Sequence, residues 1–514
     1  MALIRALSQG GSIDTAFTHW EKVVGEIEDE GTYRSLIEAL AWGILSKHAN
    51  QLNVHMTSIV GASITQDARA LPILLSGLSS PNAIIRSVSA KFSNQYRDSK
   101  VVNALLSQVQ SEKVWYVRLE LIRALGQLRV TDALPLLEKI ISDQRTTLDE
   151  RGSAMTALCM IREDISEKDV QRLVESNRVG ERHLAANIVL AFSKTEYLKK
   201  IAPLLSDSSP EVRVAAINAF ALLENKSSEY LSTVRTLIDD SHGEVAITAA
   251  WALAVAGDRI GYDKLKMWLF SPYPHLRQTA SSAISFFAYE HEQELLDLMK
   301  EQTDPYVRLN IARGIISSGS RSKRALNEIA FLVQRLRQKI MVISGLNPLF
   351  HVVTASNVRH TLVMQQYPLY IDSVTRLELI NILAVRRHPE AELMLKTFLS
   401  NTQLGVTFNA AVILVQEGVE ESIDLVRGLL EDKSEVVRLQ AALILAFMGE
   451  HEQAYPILEA TYQTASRETK INILQAMGHI RSQKSIDFLL KVMKDPFLVL
   501  RVVSASSLIQ SVYN

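Results

Sequence analysis

The feature that most constrains this chain is a pattern that returns at a fixed interval. One copy occupies residues 207–223, where Asp207, Ser208, Ser209 and Pro210 lead into EVRVAAINAFALL. Helix-starting Asp and Ser come first, then a proline suited to a first helical turn, where its missing N–H costs nothing. Val212, Ala215, Ala216, Ala219, Phe220 and Leu223 then recur at helical spacing and form one apolar face. Residues 197–205 before it read as a shorter helix with its own stripe. With the basic residue Arg213 as a marker, the same pattern recurs at Arg86, Arg118, Arg151, Arg182, Arg277, Arg308, Arg376, Arg438, Lys470 and Arg501. Ala246 and Thr407 hold the place in two further copies. Successive markers lie 31 to 33 residues apart, and the 68-residue gap from Arg308 to Arg376 reads as two periods. Lys339 is the missing marker on this reading, followed by Val342, Ile343 and Leu346 at the expected offsets. Two amphipathic helices joined by a turn close no core alone, so this repetition predicts an all-α stack in which each pair buries its neighbour.

At this point the chain resembles the HEAT-repeat family, in particular its short bacterial form, also called phycobilisome-lyase-like. The residues that carry the resemblance are 115–128, 207–223, 304–316, 433–449 and 495–509, together with the proline-bearing first helices ALPILLSGL (70–78), ALPLLEKII (133–141) and AYPILEA (454–460). It covers about residues 66–514. It implies a right-handed α-solenoid of about sixteen helical hairpins, an elongated curved surface, and no β-sheet anywhere in 66–514. The organisation expected is an atypical helical cap over 1–65, regular repeats over 66–316, an irregular repeat with a basic stretch and an insertion over 317–372, and regular repeats over 373–514. The last helix, LRVVSASSLIQSVY, carries an apolar face with no polar cap, which is expected either to pack on another molecule or to mark where the stack stops.

In that family the marker Arg reaches the acidic residue of a neighbouring inter-helix turn. Arg118, Arg213, Arg308, Arg438 and Arg501, with Asp207, Asp240, Asp432 and Asp495, are therefore expected to form a structural ladder. Function is expected two and five positions after each marker, off the apolar stripe of the second helix, which lines the concave wall in HEAT proteins. The fifth position supplies Arg123, Asn187, Asn218, Trp251, Arg313 and Asn381, and the second supplies Thr248, Asn310 and Glu378 among others. Amides and hydroxyls there suit the hydrogen-bonding groups of a polypeptide, and Trp251 is either a binding anchor or a packed inter-repeat aromatic.

Composition narrows the classes. A formal charge of −1 leaves no global field for nucleic acid or an anionic membrane. One cysteine, Cys159, excludes an internal disulfide framework and a cysteine-based zinc site; it lies in an apolar stretch and is expected to be buried. No apolar run reaches the ~18–20 residues of a membrane span, the N-terminus lacks the form of a signal peptide, and a cytoplasmic location is expected. Neither His291–Glu292 nor His451–Glu452, each expected in a loop after a second helix, has a metal-ligand partner among the marker positions. No cofactor, metal or catalytic residue is expected. The leading reading is a non-enzymatic scaffold or adaptor that binds protein partners of unknown identity along the concave face, with oligomeric state open. The alternatives are an accessory or regulatory component of a lyase-like enzyme system, or binding of nucleic acid or an acidic partner through Arg321, Lys323, Arg324, Arg335, Arg337 and Lys339, whose stretch holds a single acid, Glu328.

Overall fold

In the computed structural model, which describes residues 1–47, 52–143, 145–223, 228–336, 339, 341–355, 366–401, 412–413, 420–449 and 453–513, each repeat is a pair of helices joined by a short turn. Local chemistry starts the helices where the sequence suggests. Pro305 opens the helix Pro305–Ser317, and the Asp304 carboxylate accepts the N–H of Tyr306 at 2.9 Å. Thr147 and Glu150 form a capping box on Leu148–Arg162. Cys159 is buried on that helix.

Contacts divide the chain into two compact units, Met1–Asp164 with Val426–Asn514, and Ile165–Leu425. In the first, the second helices Leu52–Ile64, Ala83–Ser93, Trp115–Gln127 and Leu148–Arg162 pack in succession, as do Glu435–Phe447, Arg467–His479 and Leu498–Tyr513. Leu498–Tyr513 then lies against Glu30–Ser46 and Leu52–Ile64. Arg501 reaches Asp14 at 2.8 Å, and Tyr513 donates its hydroxyl to Asp67 at 2.7 Å. A Cβ on Gly61 would overlap both Oγ and Cβ of Ser506, so only glycine permits this approach. Gly126 against Ala157 and Gly478 against Ser507 use the same device between repeats adjacent in sequence. The apolar face of the last helix thus neither ends a stack nor awaits another molecule. It covers the chain's own first helices.

In the second unit, the second helices Val179–Ala191, Pro210–Leu223, Gly243–Val255, Pro274–Ile284 and Pro305–Ser317 pack in succession. The row is interrupted after the helix Lys323–Arg335. Strands Met341–Ser344 and Val352–Ala355 pair antiparallel, with Met341 opposite Ala355 and Ser344 opposite Val352, and the helix Gln366–Val385 follows.

This hairpin overturns two expectations: residues 66–514 do contain a two-stranded sheet, and Lys339 does not mark a second helix. The offsets of Val342, Ile343 and Leu346 match a helix by coincidence. Met341–Ser344 and Val352–Ala355 are rich in β-branched residues, and Gly345, at φ +130°, and Pro348 stop any helix between them. The gap from Arg308 to Arg376 is therefore a single repeat whose inter-helix turn has grown. Arg376 ties the base of that turn, donating to the carbonyls of Val333 at 3.2 Å, Leu336, and Lys339 at 2.6 Å.

A candidate polypeptide-binding face and its resident hairpin

The hairpin lies across the second helices of the second unit, on the positions two and five after the markers. At its tip, the side-chain amides of Asn347 and Asn218 bond each other reciprocally, both bonds 3.0 Å. Asn347 Nδ2 also donates to Thr248 Oγ1 at 3.3 Å, and its Oδ1 accepts the Leu349 N–H at 3.0 Å, which fixes the turn. Both donors and both acceptor sites of this buried amide are in use. Phe350 is 1% exposed. Its ring stands edge-on to Trp251 at 5.5 Å and to Phe286 at 6.0 Å. Trp251 itself is 1% exposed, buried under the hairpin rather than open to solvent.

The remaining bonds grip main chain, except one to the Thr354 hydroxyl. The Leu346 N–H donates to Glu244 at 2.5 Å, and Arg313 Nη1 donates to the His351 carbonyl at 2.8 Å. The Asn310 amide takes both groups of Val353: its Oδ1 accepts the N–H at 2.9 Å and its Nδ2 donates to the carbonyl at 3.2 Å. Thr354 Oγ1 donates to Gln278 Oε1 at 2.5 Å. Burial pushes the Glu378 carboxyl above its ordinary range, against the opposing charge of Arg313, and lowers the His351 imidazole.

Of the six groove residues picked from sequence, Asn218, Trp251 and Arg313 meet at the hairpin. Asn187 is exposed, with its amide 3.2 Å from His183 Nδ1. Asn381 is buried, donating to the Ile413 carbonyl at 3.2 Å and accepting from Ser422 Oγ at 2.8 Å. Arg123, in the first unit, pairs with Glu120 at 2.7 Å. Sequence reasoning did not reach Asn347, Phe350, Glu244 or Gln278. A usable signal was present: GEVAITAAWALAV over residues 243–255 is apolar on every side apart from Glu244 and Thr248, and Val245 to Leu253 are all buried. A second helix open to solvent on one side has no reason to be apolar there.

The marker residues bond acidic side chains, some in the expected inter-helix turns and others, Glu150, Glu328 and Asp14, on the helices Leu148–Arg162, Lys323–Arg335 and Ile13–Val23. Arg182 reaches Asp207 at 2.5 Å, Arg213 reaches Asp240 at 2.8 Å, Arg277 reaches Asp304 at 2.8 Å and Arg86 reaches Glu112 at 2.7 Å. Arg118 takes Glu150 and Arg308 takes Glu328, each at 2.5 Å, while Arg501 reaches Asp14 as described. The same guanidiniums donate to the carbonyl six residues earlier, Arg213 to Asp207 and Arg438 to Asp432 at 2.7 Å, and Arg118 to Glu112 at 3.2 Å. Asp432 and Asp495 accept the N–H groups of Ser434 and Phe497, each at 2.8 Å. The Arg86 bond holds the Glu112 carboxyl at about 2, well below its usual value, and the Arg182 bond lowers Asp207.

In the basic stretch, Arg321 and Lys323 are exposed and Arg324 stands 3.5 Å from Asp297. Arg335 lies over the Phe331 ring, Lys339 offers its carbonyl to Arg376, and Arg337 lies outside the described residues. His291 sits at a kink, with non-helical backbone at φ −123° and ψ 29°, that divides the span Ala288–Glu301, and Glu292 follows it; the His291 ring stacks on Tyr262 and Glu292 accepts from Ser320. His451 and Glu452 lie outside the described residues. Among the described residues, no helix is long and apolar enough to cross a membrane.

Helix pairs repeated at one interval, with their second helices side by side, define a helical-repeat protein. The family model for HEAT repeats matches residues 71–159, 198–285 and 425–509, just over half of the chain. The chain belongs to the HEAT-repeat family. No curated protein matches it. Among solved structures it is similar to a chain of the full-length AP-3 complex in an intermediate open conformation, at 12% identity, covering 89% of this chain and 94% of that one with a TM-score of 0.37. It is also similar to a chain from the structure of Kap95p binding to RanGDP, at 11% identity, covering 95% of this chain and 78% of that one with a TM-score of 0.36. Importin beta in an ammonium sulfate condition matches at 14% identity, over 94% of this chain and 78% of that one, with a TM-score of 0.30.

Proposed function

We propose that this protein is a non-enzymatic scaffold that holds extended segments of partner proteins on the face of its second helices. One observation carries the reading. The Asn310 amide grips both main-chain groups of Val353, as an amide must in order to hold a strand whatever its side chains. Arg313, on the same helix as Asn310, adds a bond to the His351 carbonyl, and Asn218, on the helix Pro210–Leu223, bonds the Asn347 side-chain amide. Asn187 and Arg123 occupy the equivalent fifth position in repeats outside the hairpin's reach, and both are exposed.

The test places a photo-reactive residue at Asn187 or Arg123 on the second helices, and at Lys199 or Lys139, exposed on first helices, as controls. Covalent polypeptide adducts are expected at Asn187 and Arg123. Adducts confined to Lys139 and Lys199 would reject the reading.

A further inference from the structure

We infer that the hairpin stands in for a partner's ligand segment: the face between residues 210 and 317 recognises an Asn-Pro-apolar-Phe turn that runs into a β-branched strand, and its partners carry that sequence. This rests on the scaffold reading above and specifies what the scaffold selects.

The first argument is contiguity. Asn347, Phe350, His351, Val353 and Thr354 make the bonds and ring contacts described above, apart from the Leu346 N–H to Glu244. They fall within eight consecutive residues, the length of a linear motif, so one short peptide would reproduce them without the first strand. Asn347 and Phe350 are the side chains most closely specified within that stretch, with the Thr354 hydroxyl a third polar contact. Asn347 meets an amide and a hydroxyl that supply three of its four bonds, the fourth coming from its own turn, and Phe350 fills an aromatic site three residues later. After them the contacts are to the main chain of His351 and Val353, to the buried side chains of Val352 and Val353, and to the Thr354 hydroxyl, which donates to Gln278.

The second argument is separability. The repeat that carries the hairpin is tied beneath it, because Arg376 bonds the carbonyls of Val333, Leu336 and Lys339 before the first strand begins. The helix pair therefore does not rely on the hairpin for its turn. A tethered ligand has an effective concentration in the millimolar range, so the resident segment competes strongly with any segment that arrives from outside.

The experiment uses a fluorescein-labelled peptide of residues 345–355 and the full chain carrying Asn347→Ala and Phe350→Ala, which empties both specified positions. Anisotropy titration is expected to show saturable one-to-one binding, at least tenfold tighter than to the wild-type chain. A peptide with the same two alanines is expected to bind at least tenfold more weakly. Hydrogen exchange on the wild-type chain is the second arm and does not depend on how the variant folds. Excess peptide is expected to speed exchange at the Val353 amide, and the double-alanine peptide to leave it unchanged. Absence of saturable binding to a variant of wild-type helicity, or an unchanged Val353 amide under excess peptide, overturns the inference. Adducts at Asn187 and Arg123 in the cross-linking experiment would then still support the scaffold.

Discussion

At the scale of single residues, the amide of Asn310 and the carboxylate of Glu112 show two ways in which a repeat spends its polar groups. Asn310 is buried, and replacing it by Leu would strand the N–H and the carbonyl of Val353 together. Leaving each unsatisfied costs about 1–3 kcal/mol, so Asn310→Leu is expected to lower stability by about 2–6 kcal/mol in denaturant titration. Glu112 is an electrostatic case. Its folded value, about 2, lies below the ordinary 4.5 because Arg86 bonds it, so its contribution is fully present above pH 4.5 and is lost as the pH falls toward 2. Glu112→Gln is expected to destabilise at pH 7 by about 3 kcal/mol at most, with the difference from wild type shrinking steadily below pH 4.5. An unfolding series across that pH range checks it, and a constant difference would count against the Arg86 pair as its source. Arg213→Ala, which strands the carbonyl of Asp207, is expected to cost about 1–3 kcal/mol at neutral pH.

At the scale of elements, the hairpin is where the repeat pattern and the structure part company. The helices were legible because each one satisfies two signals at once, a capping residue and a 3.6-residue apolar period, and these agree in the helix after Ser209 as in the helix after Asp304. The polar positions on their inner face were legible too, since Asn218, Thr248 and Asn310 depart from the apolar stripe at two fixed offsets, five residues after the marker for Asn218 and two for Thr248 and Asn310. What covers them was not. The four-residue strands Met341–Ser344 and Val352–Ala355 are too short for periodicity to separate from a helical turn, and the pairing of Asn347 with Asn218 spans 129 residues that no local pattern connects. Phe350→Ala removes the ring that seats the tip and is expected to cost about 3–5 kcal/mol. The loss should appear in hydrogen exchange as faster exchange of the hairpin amides, while the first unit, Met1–Asp164 with Val426–Asn514, keeps its protection.

At the scale of the whole molecule, the contact between the last helix and the first ones is built like any other joint between neighbouring repeats. Gly61→Ala drives a methyl into Ser506 and is expected to destabilise by about 1–3 kcal/mol. Adding Ser506→Gly returns the space and is expected to recover most of that loss, a coupling that a double-mutant cycle reads directly. Independent, additive effects would mean that the two helices adjust separately. The joint also sets a schedule. Tyr33 donates to Asp487, 454 positions further along the chain, and at roughly 5–20 residues per second of synthesis the ribosome delivers the second partner roughly 20–90 s after the first. Throughout that interval the nascent helix that holds Leu36 and Leu40 waits without its final cover, a window in which a chaperone has something to hold.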